Sequence, residues 1–203
     1  TPHGRNRIID IIGDLGGFAF EDYDSECENS FANENGDRYI TCLNADLTLS
    51  DPEYIVATPR GNWTGKTKGG LILSKDCGST WERLPMPRGL SEFIDKKLDN
   101  IEKPNVDSGW TAISADGKRI MWAVAGGKGF SNKAVCYTDD EGKTWQKSIF
   151  TDSNGNSADE HNVKIFSDYY NSDLFFAIAE RENLGLYISR DKGATFREVS
   201  IKT

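Results

Sequence analysis

One eight-residue pattern, S/T-x-D-x-G-x-T-W/F, occurs three times along this chain. It is met at Ser74 to Trp81, at Thr138 to Trp145 and at Ser189 to Phe196. The aspartates Asp76, Asp140 and Asp191 are 64 and 51 residues apart. Repetition at that period marks an array of similar units, each too small to bury a hydrophobic face alone. Within a unit the residue types describe a tight turn. The Asp carboxylate accepts backbone N–H groups, the Gly two residues on permits positive φ, and the Ser or Thr adds a second local hydrogen bond. The closing Trp or Phe folds back as an apolar plug. These aspartates therefore have a structural role rather than a catalytic one.

Around each turn the chain divides into four short apolar runs bounded by turn signals such as Ala115-Asp116-Gly117 and Asn171-Ser172-Asp173. The expected strands are 39–44, 54–58, 70–74 and 80–84, then 111–114, 119–124, 134–138 and 144–149, then 163–167, 174–179, 185–189 and 195–201. Four antiparallel strands per repeat, with the turn motif joining the third and fourth, make a β-propeller blade. The fold class is thus all-β, with about three four-stranded blades of a larger ring, seven-bladed by expectation. The units are a lead-in over 1–38 and blades over 39–84, 107–150 and 162–203, within a single partial propeller domain spanning 1–203. Residues 90–102 favour a short helix between the first two blades. Three blades do not close a ring, and the chain starts without an initiator Met, so further blades are expected from a longer polypeptide or another chain.

Composition excludes several functions. Against 24 Lys and Arg stand 32 Asp and Glu, a net charge of −8, which disfavours nucleic acid as a partner. No apolar run approaches the roughly 20 residues of a membrane helix. At 203 residues the chain is long enough to bury roughly 70% of its unfolded surface. Cys27, Cys42, Cys77 and Cys136 lack a C-x-x-C spacing. No zinc site is expected from them; three disulfide pairings are formally available, and free, semi-buried thiols are the favoured state. Asp152 to Asn156 alternates oxygen-bearing side chains without the Gly and Glu placement of a calcium loop, and His3 and His161 stand alone. No metal and no cofactor is implied. Asn62-Trp63-Thr64 is a glycosylation sequon in a eukaryotic source.

Before the first blade, an apolar run leads into Gly13-Asp14-Leu15-Gly16-Gly17-Phe18, which presents one acid at a strand end with backbone close on both sides. The repeat resembles the Asp-box of sialidases, sortilin-type receptors and several glycoside hydrolases. The Asp14 segment looks like the G-D-I-G-G-F motif of family-74 glycoside hydrolases, the xyloglucan-cleaving endoglucanases. Leu43-Asn44-Ala45-Asp46, Asp51 to Val56 and Ile113 to Trp122 also resemble stretches of that family, so the likeness runs from about Ile8 to Val199. The family motif continues R-H-D-D-L where this chain has Ala19-Phe20-Glu21-Asp22-Tyr23. Loss of the Arg-His pair puts full activity and substrate preference in question.

The resemblance implies the opening part of a second propeller, facing a first propeller from the same parent across a cleft for β-1,4-glucan. Hydrolysis in the family is inverting, and Asp14 matches its general acid. No second motif of that kind occurs, so the chain alone would lack the base and be inactive. Such an acid holds its proton near neutral pH through desolvation or neighbouring carboxylates, here expected to be Glu21, Asp22 and Asp24. Gly16 and Gly17 would lie against the substrate. Trp63, Trp110 and Trp122 are candidate sugar platforms, whereas Trp81 and Trp145 belong to the repeats. The implied partner is plant cell-wall xyloglucan, and secretion would follow. Two other readings stay open. A non-catalytic propeller binding glycan or protein would not need Asp14, and a sialidase would need an arginine triad that these scattered arginines do not suggest.

Overall fold

The computed structural model describes residues 8–24, 26–27, 29–104, 106–124, 134–158, 163–179 and 185–199. Four small sheets stand side by side, antiparallel except for one added strand in the last. The first holds β1 (Ile8–Ile12), β2 (Gly16–Phe20) and β3 (Asn29–Ser30) in the order β1-β2-β3. The second follows chain order through β4 (Cys42–Leu47), β5 (Ile55–Pro59), β6 (Ile72–Ser74) and β7 (Glu82–Arg83). Helix α1 (Glu92–Ile101) comes next, capped by Ser91, whose side chain accepts the Ile94 N–H. The third sheet comprises β8 (Gly109–Ile113), β9 (Ile120–Val124), β10 (Val135–Thr138) and β11 (Gln146–Lys147). The last comprises β13 (Val163–Ser167), β14 (Phe175–Ala179), β15 (Gly185–Ser189) and β16 (Thr195–Glu198), with β12 (Ile149–Thr151) added beside β16. The three expected four-stranded units and the inter-blade helix are therefore present.

Apolar faces meet between sheets. One core joins Val56, Leu71, Leu73 and helix residues Ile94, Leu98 and Ile101 to Ile113, Ile120 and Trp122. A second joins Met121, Ala123, Val135 and Tyr137 to Phe175, Tyr187 and Phe196. A third packs Phe31 and Tyr39 against Ile55, Ile72 and Trp81. Strand β9 is buried at every position because it contributes alternate residues to two of these cores. That overturns one expected role: Trp122 is fully buried mid-strand, its indole N–H donated to the Ser108 carbonyl 2.6 Å away, and no glycan reaches it.

All three repeat turns have the same bonding. In the first, Ser74 donates to the Asp76 carboxylate at 2.8 Å, and that carboxylate accepts the Thr80 N–H at 2.8 Å and the Thr80 hydroxyl at 2.7 Å. Asp140 repeats this with Thr138 and Thr144, and Asp191 with Ser189 and the Thr195 N–H. Positive φ occurs at two successive residues in each turn: Cys77 and Gly78, Glu141 and Gly142, Lys192 and Gly193. Trp81 is buried, while Trp145 is only partly so, with its indole N–H on the Pro85 carbonyl at 2.9 Å.

The fourth strand of the second repeat differs from the expected 144–149. It breaks at Ser148, whose hydroxyl donates to Gly193 O at 2.7 Å, and β12 then runs parallel to β16 in the neighbouring sheet. All four cysteines are free; Cys42, Cys77 and Cys136 are buried and Cys27 is exposed. Among the described residues no helix is long and apolar enough to cross a membrane. His3 and His161 lie outside the described residues.

Candidate functional site

Asp14 is the middle residue of a three-residue hairpin loop, since Ile12 pairs with Gly16. Its φ is 61°, a left-handed conformation that Asp tolerates better than most residues, and its side chain is exposed. A hairpin-tip amide has no ladder partner. Asp14 N–H instead donates to the Thr41 hydroxyl at 3.0 Å, and Gly16 bridges Thr41. The Asp14 carboxylate has no hydrogen bond or ion pair among the described residues.

The two glycines that follow are fixed by packing. At Gly16 φ is +88° and a Cβ would lie 2.5 Å from the Tyr39 carbonyl oxygen; at Gly17 it would lie 2.6 Å from the Phe31 ring. Both are buried, so close packing onto β4 and its lead-in accounts for them without any substrate contact.

One end of the molecule collects the other polar groups. Thr41 directly precedes β4, and its carbonyl accepts the Arg60 N–H at 2.7 Å, where β5 passes into the loop to β6. Arg60 pairs with Asp107, just ahead of β8. Asn62 and Thr67 close the loop on the Arg38 carbonyl, at 2.9 and 3.2 Å. Trp63 stands out from this loop, 68% exposed. The repeat turns lie at the other end: Ser74 pairs with Ile55 at the start of β5, and Cys77 N–H reaches Glu53 O. Asp14 and Trp63 thus lie at the same end of the molecule, away from Asp76, Asp140 and Asp191.

Trp110, second residue of β8, is half-buried. Phe166 meets it edge-on at 6.0 Å between centroids, Lys164 Nζ lies 5.3 Å over its ring, and its buried Nε1 has no hydrogen-bond partner. Its ring is therefore much less available than that of Trp63.

The acids expected beside Asp14 are elsewhere. Phe20 pairs with Ile8, so Glu21, Asp22 and Asp24 follow the opposite end of the hairpin, about 16 Å along the strand from the tip. At Asp152 the carboxylate closes its own turn, accepting Asn154 N–H at 2.9 Å and Asn156 N–H at 2.8 Å. No group of three or more His, Cys, Asp or Glu among the described residues is placed to hold a metal ion.

A partly buried carboxylate missed by sequence reasoning sits on β4. Asp46 accepts Ile113 N–H at 2.9 Å and the Ser167 hydroxyl at 3.0 Å, while Asn44 accepts Thr111 N–H at 2.7 Å. Three sheets meet at this side chain. Burial raises its pKa to about 6 against the lowering effect of those hydrogen bonds. No spacing rule pairs residues so distant in sequence, so neither Asp46 nor Thr41 could be found that way.

Residues 137–147 match the BNR/Asp-box repeat family. No curated protein sequence matches the chain. Among solved structures, the chain is similar to the GH74 xyloglucanase of Xanthomonas campestris, with a TM-score of 0.67 and 19% identity over 99% of this chain and 24% of that one. The GH74 enzyme of Niastella koreensis gives 0.65 and 17% over 100% and 23%, and an ancestral GH74 enzyme gives 0.60 and 12% over 100% and 25%. The chain spans about a quarter of the length of these proteins. It has the propeller fold of GH74 enzymes and carries the Asp-box repeat.

Proposed function

We propose that this chain supplies the general-acid half of an inverting glycoside hydrolase cleft acting on a β-1,4-glucan backbone, xyloglucan by preference. The observation that carries the reading is the display of Asp14: an exposed carboxylate on a hairpin tip whose backbone is tied to the neighbouring sheet. Its motif, Gly13 to Phe18, and the fold similarity to GH74 enzymes support the assignment.

In this mechanism Asp14, desolvated by the bound glucan and the facing propeller, donates its proton to the glycosidic oxygen as the C–O bond breaks. A carboxylate about 6.5–9.5 Å away activates water on the opposite face of the sugar. That base, the remaining blades and the first propeller come from the rest of the parent protein. Trp63 offers a stacking surface for the C–H face of a glucose unit, and Trp110 a smaller one. The substrate is a plant cell-wall polymer, so the parent is a secreted protein.

The test is reducing-end release from xyloglucan by the longest natural form, beside its Asp14→Asn variant. A loss of about 10³-fold or more with the fold retained is expected. Equal activity of the two would move the acid to another residue. No activity in either would favour a binding propeller.

A further inference from the structure

We infer that Thr41 is the positioning residue for Asp14, acting through the main chain rather than touching substrate; the inference rests on Asp14 being the general acid. An exposed carboxylate at a hairpin tip has two rotatable bonds, so its direction depends first on where the backbone holds Cα and Cβ. Within the hairpin itself nothing fixes that backbone, because the ladder stops at Ile12 and Gly16. The fixing contact comes from just ahead of the next sheet, 27 residues on, where the Thr41 hydroxyl accepts the Asp14 N–H at 3.0 Å.

Thr41 is well placed for this. It is buried, 4% exposed, and held on both sides: its carbonyl accepts Arg60 N–H at 2.7 Å, and its backbone bridges Gly16. Arg60 is in turn paired with Asp107 beside β8. The hydroxyl is therefore a fixed acceptor, and it links the acid to the loop that carries Trp63. Without it the Asp14 amide loses its partner, and the left-handed backbone at φ 61° has one less reason to persist.

The experiment compares wild type, Thr41→Val, Thr41→Ser and Asp14→Asn in the longest natural form on two substrates. One is xyloglucan, whose alkoxide leaving group needs a proton. The other is a glucan oligosaccharide bearing dinitrophenolate, which departs without one. Thr41→Val is expected to lower kcat on xyloglucan about tenfold, with KM and the aryl rate unchanged, while Thr41→Ser restores wild-type values. Thr41→Val matching wild type, or losing both substrates equally, overturns the inference while Asp14→Asn still fails on xyloglucan. Full xyloglucan activity in Asp14→Asn, or none in wild type, overturns the acid assignment and this inference with it. Should Thr41→Val not fold, Thr41→Ala against Thr41→Ser gives the same comparison.

Discussion

At Gly16 two constraints coincide. Its φ of +88° is a region that costs any L-residue about 1 kcal/mol or more, and a Cβ there would sit 2.5 Å from the Tyr39 carbonyl oxygen. The clash is with backbone, so no rotamer change relieves it. Gly16→Ala should therefore destabilise the protein by about 2–4 kcal/mol, read as a lowered urea midpoint with unchanged slope. A shift below about 0.5 kcal/mol would mean that the hairpin rides loosely on β4. Phe31, buried in the third core, is the obstruction at Gly17, where no positive φ adds to the clash, so Gly17→Ala should cost less than Gly16→Ala. At this scale the Gly-Asp-x-Gly-Gly run signalled an acid at a strand end with backbone close on both sides, but it did not reveal what the turn rests on.

Sheets in this molecule are joined by side chains as well as by apolar cores. Asn44 and Asp46, alternating on β4, satisfy the N–H groups of Thr111 and Ile113 on β8, and Ser167 of β13 adds a third sheet at Asp46. With a folded pKa near 6 against an ordinary 3.8, the folded state holds this proton between pH 4 and 6 where the unfolded chain does not. The carboxyl's favourable contribution is thus complete below about pH 4 and is lost as pH rises through about 6. Asp46→Asn should remove that slope. Melting temperatures of wild type and variant, followed from pH 4 to 7, should shift in the variant's favour as pH rises; parallel curves would refute the assignment. The Asp46 charge also raises the pKa of the neighbouring Tyr169 phenol, which stays protonated throughout this range.

Elements that depend on neighbours in sequence were legible, and those that depend on neighbours in space were not. The repeat turns close on residues two and four positions apart, so their pattern is local and complete in the sequence. Helix α1 announces itself by its Ser91 cap and its buried spacing at Ile94, Leu98 and Ile101. Trp122 is no sugar platform because β9 is enclosed by a sheet on each side, which its own segment does not signal. The departure of β12 to the next sheet has no local signal; it follows from hydrogen bonds to Gly193 and Ala194, some 45 residues later. Thr41 belongs to the same class, since nothing in its own neighbourhood marks it as a partner of Asp14.

For the whole molecule, the unequal faces of the last sheet matter most. Phe175, Ala177, Ala179 and Tyr187 are buried against the preceding sheet. The opposite face carries Phe176, Ile178, Leu186 and Ile188, each only partly covered, with Phe166 38% exposed at its edge. Alternation of this kind, apolar on both faces, belongs to a blade with a neighbour on each side, as in a closed propeller. Contiguous apolar surface of that character drives association when left open. Residues 8–199 expressed alone should therefore associate reversibly, with a sedimentation coefficient that rises over the micromolar range. Phe176→Lys together with Ile188→Lys should restore a monomer, because each charge would have to be desolvated in the contact. A longer form whose further blades cover this face should sediment as one species at every concentration. If the isolated segment were monomeric throughout, the face would be covered from within the chain, and no fourth blade would be needed to explain its composition.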